Sequence, residues 1–442
     1  MYIKLALRNF KRSTFDYLMY IITMTILSAI MHLSNCIAIL GDIQEGFQTA
    51  SLPLLIVIIM VVLVNYINTF MIKLRAKEFA NYLLLGMEKG KLSQMFLIEF
   101  CFIGIICFVF GGLLGSGAYL VILFNTFRGP KLQQLFMIKS ILHTLIYLVI
   151  VEGLSAVRIR KKMYGLQISE LMIENRRNQS LREDRKTFWL IGCTISFLIL
   201  FVLLCSVTFL SEKSTYAIIP FISIPLLCCI VAFYKWLYAY FSSKRLKLSE
   251  HLYQGNRIYR IAEMTTGTKT DVLLNSVFSI CLLFAIMAYV NGALLLNESV
   301  VINNPVKQHW MGFLQISISI IFMTIYFSIL SLQLIIGLKR QAKSILILHY
   351  MGKSLAQIKF LLKTQVMLKL LVPTLMCFVL LLICTPLVNY KINMILPDIA
   401  HNSIIKSVGW FIICFSILYL CYFLIICIIS KRYLKLLLTY RY

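Results

Sequence analysis

Negative charge is scarce in this chain: of 442 residues only 17 are Asp or Glu, against 43 Lys or Arg. Charged residues of both signs make up 14%, whereas a soluble domain carries about 25% because its surface must be wetted. That shortage excludes an ordinary soluble protein. The formal charge of +26 does not build a nucleic-acid face either, because the basic residues fall in short clusters between long apolar runs rather than on one soluble surface. No nucleic acid is expected as a partner.

Several chemistries are missing as well. The thirteen cysteines contain no CxxC spacing and nearly all lie inside apolar runs, as with Cys101, Cys107, Cys193, Cys205, Cys228, Cys229, Cys421 and Cys427. They read as small buried hydrophobes rather than as a disulfide or zinc framework. The six histidines, His32, His143, His251, His309, His349 and His401, are scattered one to a region, without the paired spacing of a metal site. Met351-Gly352-Lys353-Ser354 contains part of a phosphate loop, but Ile347 stands where the first glycine must be. Any ATP that drives this protein is therefore expected on another chain. A lipid-modifying enzyme would gather His or carboxylate groups at one membrane face, and no such gathering is visible. Asp16, Glu99 and Glu152 all fall near span ends, where a wetted interfacial carboxylate is expected. The chain is not expected to be an enzyme, nor to hold a cofactor.

What is present is apolar length, with hydrophobic residues at 60% of the chain. A helix needs about 20 apolar residues to cross the hydrocarbon core, since every backbone amide must find its partner inside the segment. Ten segments qualify, near 15–41, 51–72, 95–125, 134–156, 188–210, 217–241, 273–296, 310–337, 366–389 and 404–430. The expected fold is an all-α polytopic membrane protein. The first segment is too long for the core of a secretory signal and no A-x-A site follows, so it is read as a span. Its leader, MYIKLALRNFKRSTF, spaces cationic and apolar residues as an interfacial helix or a plain positive flank would. With both termini inside, the outer loops hold only Arg128, Lys131, Lys213, Lys307 and Lys391, so the basic excess lies on the cytoplasmic side. Three regions are expected: 1–156 with spans one to four, 157–272 with a basic linker and spans five and six, and 273–442 with spans seven to ten.

Gly111, Gly112, Gly115 and Gly117 give the third span a small-residue surface that another helix can approach closely. Pro220 and Pro225 in span six, and Pro373 and Pro386 in span nine, are placed to kink their helices.

The most informative pattern is an internal repeat. Lys73 to Leu92, between spans two and three, and Lys339 to Ile358, between spans eight and nine, both read K-x2-A-K-x8-G at a constant offset of 266. Lys73, Ala76, Lys77 and Gly86 match Lys339, Ala342, Lys343 and Gly352. Each copy leaves a span through basic residues, runs through an apolar stretch and breaks at its glycine before entering the next span. A short helix with a glycine cap, followed by a second helix, is the expected structure. The apolar stretches carry the candidate residues Phe79, Tyr82, Leu84, Leu85 and Gly86, and Ile345, Leu348, Tyr350, Met351 and Gly352. An apolar patch on a cationic face calls for a cover, either lipid headgroups or a soluble partner.

The phrases ALRNFKRSTFDYL and KEFANYLLLGMEKGKLSQMFLIE, together with ten spans arranged around two three-span units, resemble the FtsX-like permeases of ABC transporters. Within them the chain resembles the bacitracin-resistance, BceB-like branch. The resemblance implies three-helix units at spans two to four and eight to ten, with the repeated segments as coupling helices seated on two copies of an ATPase subunit that binds ATP and Mg. It also implies the plasma membrane of a bacterium, a substrate that is an amphipathic antimicrobial peptide or a lipid-linked molecule, and a two-component histidine kinase as a companion. The alternative is a signalling scaffold that reports ATPase cycling to such a kinase without moving a substrate. One departure is plain: the branch carries a large extracellular domain between spans seven and eight, where this chain has only the short stretch Asn297 to His309.

Overall fold

A computed structural model describes residues 21–22, 24–36, 51–126, 133–165, 186–209, 212–246, 269–297, 305–395 and 403–439. The basic leader, Asp16, Arg128, Lys131, His251 and His401 lie outside the described residues. What is described is helical apart from short turns, with no strand among the described residues. In chain order the helices are α1 (Met24–Cys36), α2 (Ser51–Leu74), α3 (Ala76–Leu84), α4 (Lys89–Thr126), α5 (Gln133–Tyr164), α6 (Lys186–Phe209), α7 (Glu212–Leu246), α8 (Lys269–Leu295), α9 (Pro305–Tyr350), α10 (Leu355–Ile395) and α11 (Ser403–Thr439).

Eight of them, α4 to α11, are long and apolar enough to cross a membrane; α1 and Met60–Thr69 within α2 are shorter apolar stretches lying in the first two expected spans. Their outer faces carry apolar rows that water would not tolerate. On α11, Ile413, Ile417, Leu420, Leu424 and Ile428 are all exposed at helical spacing, which makes one continuous apolar stripe.

The chain divides into two compact units, Met1–Asn178 with Phe327–Leu332, and Gln179–Tyr326 with Gln333–Tyr442. In the first unit α1 lies directly against α4. A Cβ added at Gly111 would stand 2.6 Å from the Ser28 Cβ, and one at Gly115 would stand 2.6 Å from the Ala29 carbonyl oxygen. These two glycines of the expected small-residue surface therefore admit α1, while Gly112 and Gly117 face open space. The same helix is joined to α5 by a buried polar seam: Asn35 Nδ2 donates to Thr144 Oγ1 at 2.9 Å, Cys36 Sγ donates to Ser140 Oγ at 3.1 Å, and the His32 ring lies 3.2 Å from Thr144 Oγ1. Scattered in sequence, these groups satisfy one another across 104 or more residues.

In the second unit α6 and α7 form an antiparallel pair, and α8 packs against α7, α10 and α11. Helix α10 runs through both Pro373 and Pro386. Around Pro373 its backbone is served by neighbours: Tyr234 and Ser279 donate to the Pro373 carbonyl at 3.1 and 2.9 Å, and Tyr419 donates to the Leu370 carbonyl. Hydroxyl groups from three other helices thus hydrogen-bond α10 carbonyls on either side of the proline.

Candidate coupling hairpins

Each unit contains one copy of the repeat, and the two copies match residue by residue in their local bonding. In the first, the Gly86 amide donates to the Leu83 carbonyl at 3.1 Å and the Met87 amide to the Tyr82 carbonyl at 3.0 Å. In the second, Gly352 donates to His349 at 3.0 Å and Lys353 to Leu348 at 3.2 Å. This pattern of a five-residue and a three-residue reach closes a helix on a left-handed residue, and glycine takes that conformation without a Cβ penalty. Gly86 has φ +89° and Gly352 has φ +85°.

The hairpins are held by equivalent apolar anchors. Ile72, Phe79, Leu92 and Phe96 are all buried in the first unit, with the Phe79 and Phe96 rings edge to face at 5.6 Å. Shifted by 266 they become Leu338, Ile345, Ile358 and Leu362, which form one buried cluster with Leu434 in the second unit. Beyond the glycine, the same two positions pair in each copy by different chemistry, and only in the second do they cap the next helix. Glu88 pairs with Lys91 at 3.3 Å, whereas Ser354 and Gln357 exchange side-chain to backbone bonds, both at 3.3 Å.

The candidate residues separate into three groups. Phe79 and Ile345 are buried and hold the hairpin down; they present no surface to a partner. Tyr82 and Leu348 are half-buried. Leu84, Leu85, Tyr350 and Met351 project outward, with Leu85 84% and Met351 76% exposed, and Gly86 and Gly352 are exposed beside them. Ile347 is also exposed, a position where the first copy has Asn81. What remains exposed is therefore a tip of two or three apolar side chains at each glycine. As a linear string the whole stretch is one patch; helical phase divides it, because residues five or six apart fall on opposite sides of a helix.

Two expectations are corrected. The short helix exists only in the first copy, as α3; in the second, α9 continues from the span through to Tyr350 without interruption. Glu99 is not a wetted carboxylate: its side chain is fully buried and accepts from Arg75 Nη1 at 2.5 Å. Arg75, which the sequence pattern does not single out, sits at the break between α2 and α3 with its side chain 3% exposed. Beside the same hairpin, Lys89 donates to the Tyr164 carbonyl at 3.2 Å, joining the start of α4 to the end of α5. Among the described residues no three His, Cys, Asp or Glu side chains gather as metal ligands.

No curated protein matches the chain. Residues 50–166 match the family model of the FtsX-like permease C-terminal region, a stretch that takes in α2, the whole first hairpin, α4 and α5. The match makes this stretch, 50–166, similar to the C-terminal region of FtsX-like permeases.

Proposed function

We propose that the chain is the permease subunit of an ABC transporter, and that its two hairpin tips seat on two copies of a separate ATPase subunit at the cytoplasmic face of a bacterial plasma membrane. The observation that carries this reading is the duplication of one device: a buried anchor, a left-handed glycine and an exposed apolar tip, once in each unit. An exposed Leu85 or Met351 at a hairpin tip is costly to hydrate and gains by insertion into an apolar socket. ATP and Mg belong to the partner, and hydrolysis there moves the tips, which are continuous with membrane helices through α4 and α10. Such a stroke acts on a substrate that meets the apolar faces of the spans, an amphipathic antimicrobial peptide or a lipid-linked molecule that is removed, exported or rendered harmless.

The test is copurification. The chain extracted from its native membrane should bring an ATP-hydrolysing protein with it, and Leu85→Asp together with Met351→Asp should release that protein, because an unpaired charge in an apolar seat costs several kcal/mol. The chain by itself should show no ATP turnover. Isolation of the native chain without an ATPase would remove the basis for this reading.

A further inference from the structure

The two hairpins are alike at their tips and unlike at their roots. In the first the helical run breaks at Arg75, which separates α2 from α3. In the second α9 passes unbroken through Gln341, the residue that stands 266 positions on. At Arg75 the backbone leaves helical geometry, with φ −99° and ψ 14°, although the Arg75 and Phe79 amides still reach the Met71 and Arg75 carbonyls, so α3 is set off from α2 by a one-residue kink that α9 lacks.

The break is gripped by one side chain. Arg75 donates through Nε to Glu78 at 2.8 Å and through Nη1 to Glu99 at 2.5 Å, and its guanidinium lies 5.3 Å from the centre of the Phe79 ring. Glu78 and Phe79 belong to α3, and Glu99 belongs to α4. One planar group thereby fixes both the angle of the break and the distance between the hairpin's two arms, a geometry that guanidinium suits and an ammonium suits less well. In the second copy Glu99 is replaced by Gln365, again buried, and Arg75 by Gln341, so both charges are gone where the helix needs no joint. A buried ion pair contributes little net stability but specifies one arrangement, which is what a joint requires and an unbroken helix does not.

We propose that Arg75 and Glu99 form a latch that positions the first hairpin on α4, and that the continuity of α9 takes its place in the second, so the two tips are held by different means. The latch stands on geometry within the first unit; only the description of its tip as ATPase-facing rests on the function proposed above.

The test uses the full chain, cysteine-free, in lipid nanodiscs without an ATPase. Spin labels at Asn81 and Gln94, both exposed, report the spacing of the first hairpin's arms, and labels at the equivalent Ile347 and Phe360 report that of the second. Pulsed dipolar spectroscopy should give one narrow distance for each pair. Arg75→Gln and Glu99→Gln should each broaden the first distance, and the double variant should be no broader than either single one, because both remove the same unit. The double variant leaves no lone buried charge and should insert as the parent does; Arg75→Lys should keep part of the narrow peak. Gln365→Ala should leave the second distance narrow. Narrow first distances in both single variants, additive broadening, failure of the double variant to insert, or broadening of the second hairpin by Gln365→Ala would overturn the latch. Absence of an ATPase partner would overturn the coupling function and leave these distances unaffected.

Discussion

Gly86 and Gly352 stand 266 residues apart and occupy the same left-handed backbone, with φ +89° and +85° and nothing within 4 Å of where a Cβ would be placed. A substitution at either meets no steric neighbour, so its whole cost lies in the backbone. That isolates the conformational requirement from packing and makes both sites clean probes of the hairpin.

Alanine at Gly86 or Gly352 should destabilise the hairpin by about 1 kcal/mol, the cost of a left-handed conformation for an L-residue, and asparagine should cost less because it tolerates that region. Melting of the purified chain in detergent, followed for the Ala and Asn variants, checks the order. Equal effects of Ala and Asn would contradict the capping role.

Anchor and tip should respond oppositely. Phe79→Ala or Ile345→Ala removes a buried side chain and should lower stability by about 2–5 kcal/mol. Leu84→Asp or Tyr350→Asp alters an exposed position and should change stability by less than about 0.5 kcal/mol while weakening retention of the ATPase. Thermal unfolding and copurification measured on the same preparations separate the two roles.

Gly115→Ala places a Cβ against the Ala29 carbonyl, a backbone atom that cannot rotate away, and should force α1 off α4 at a cost of about 1–3 kcal/mol. Gly117→Ala on the same helix faces open space and should be neutral. The rate of disulfide cross-linking between cysteines introduced on α1 and α4 reports the spacing.

One chain carries two tips, so a complex with two ATPase subunits should contain a single permease chain; a permease dimer would offer four tips to two sockets. Native mass spectrometry of the complex counts the chains. Two permease chains for each ATPase pair would require another account of the duplication.

The sequence by itself determined the apolar helices, the repeat and the glycine breaks, because each follows from a local rule. Apolar length sets what can cross lipid, and a left-handed terminus selects glycine at Gly86 and Gly352 wherever the hairpin is placed. The tertiary structure decided which face each residue takes. Phe79 and Leu85 belong to one apolar run, yet Phe79 is enclosed by Phe96 and its neighbours while Leu85 is left bare. Glu99 reads as an ordinary carboxylate near a span end until Arg75, 24 residues earlier, is brought within 2.5 Å of it. His32, Asn35, Ser140 and Thr144 become a seam only because Gly111 and Gly115 let α1 approach α4 beside α5. Pairing of this kind is a property of two surfaces meeting, and a one-dimensional pattern records each surface without recording which other surface it will touch.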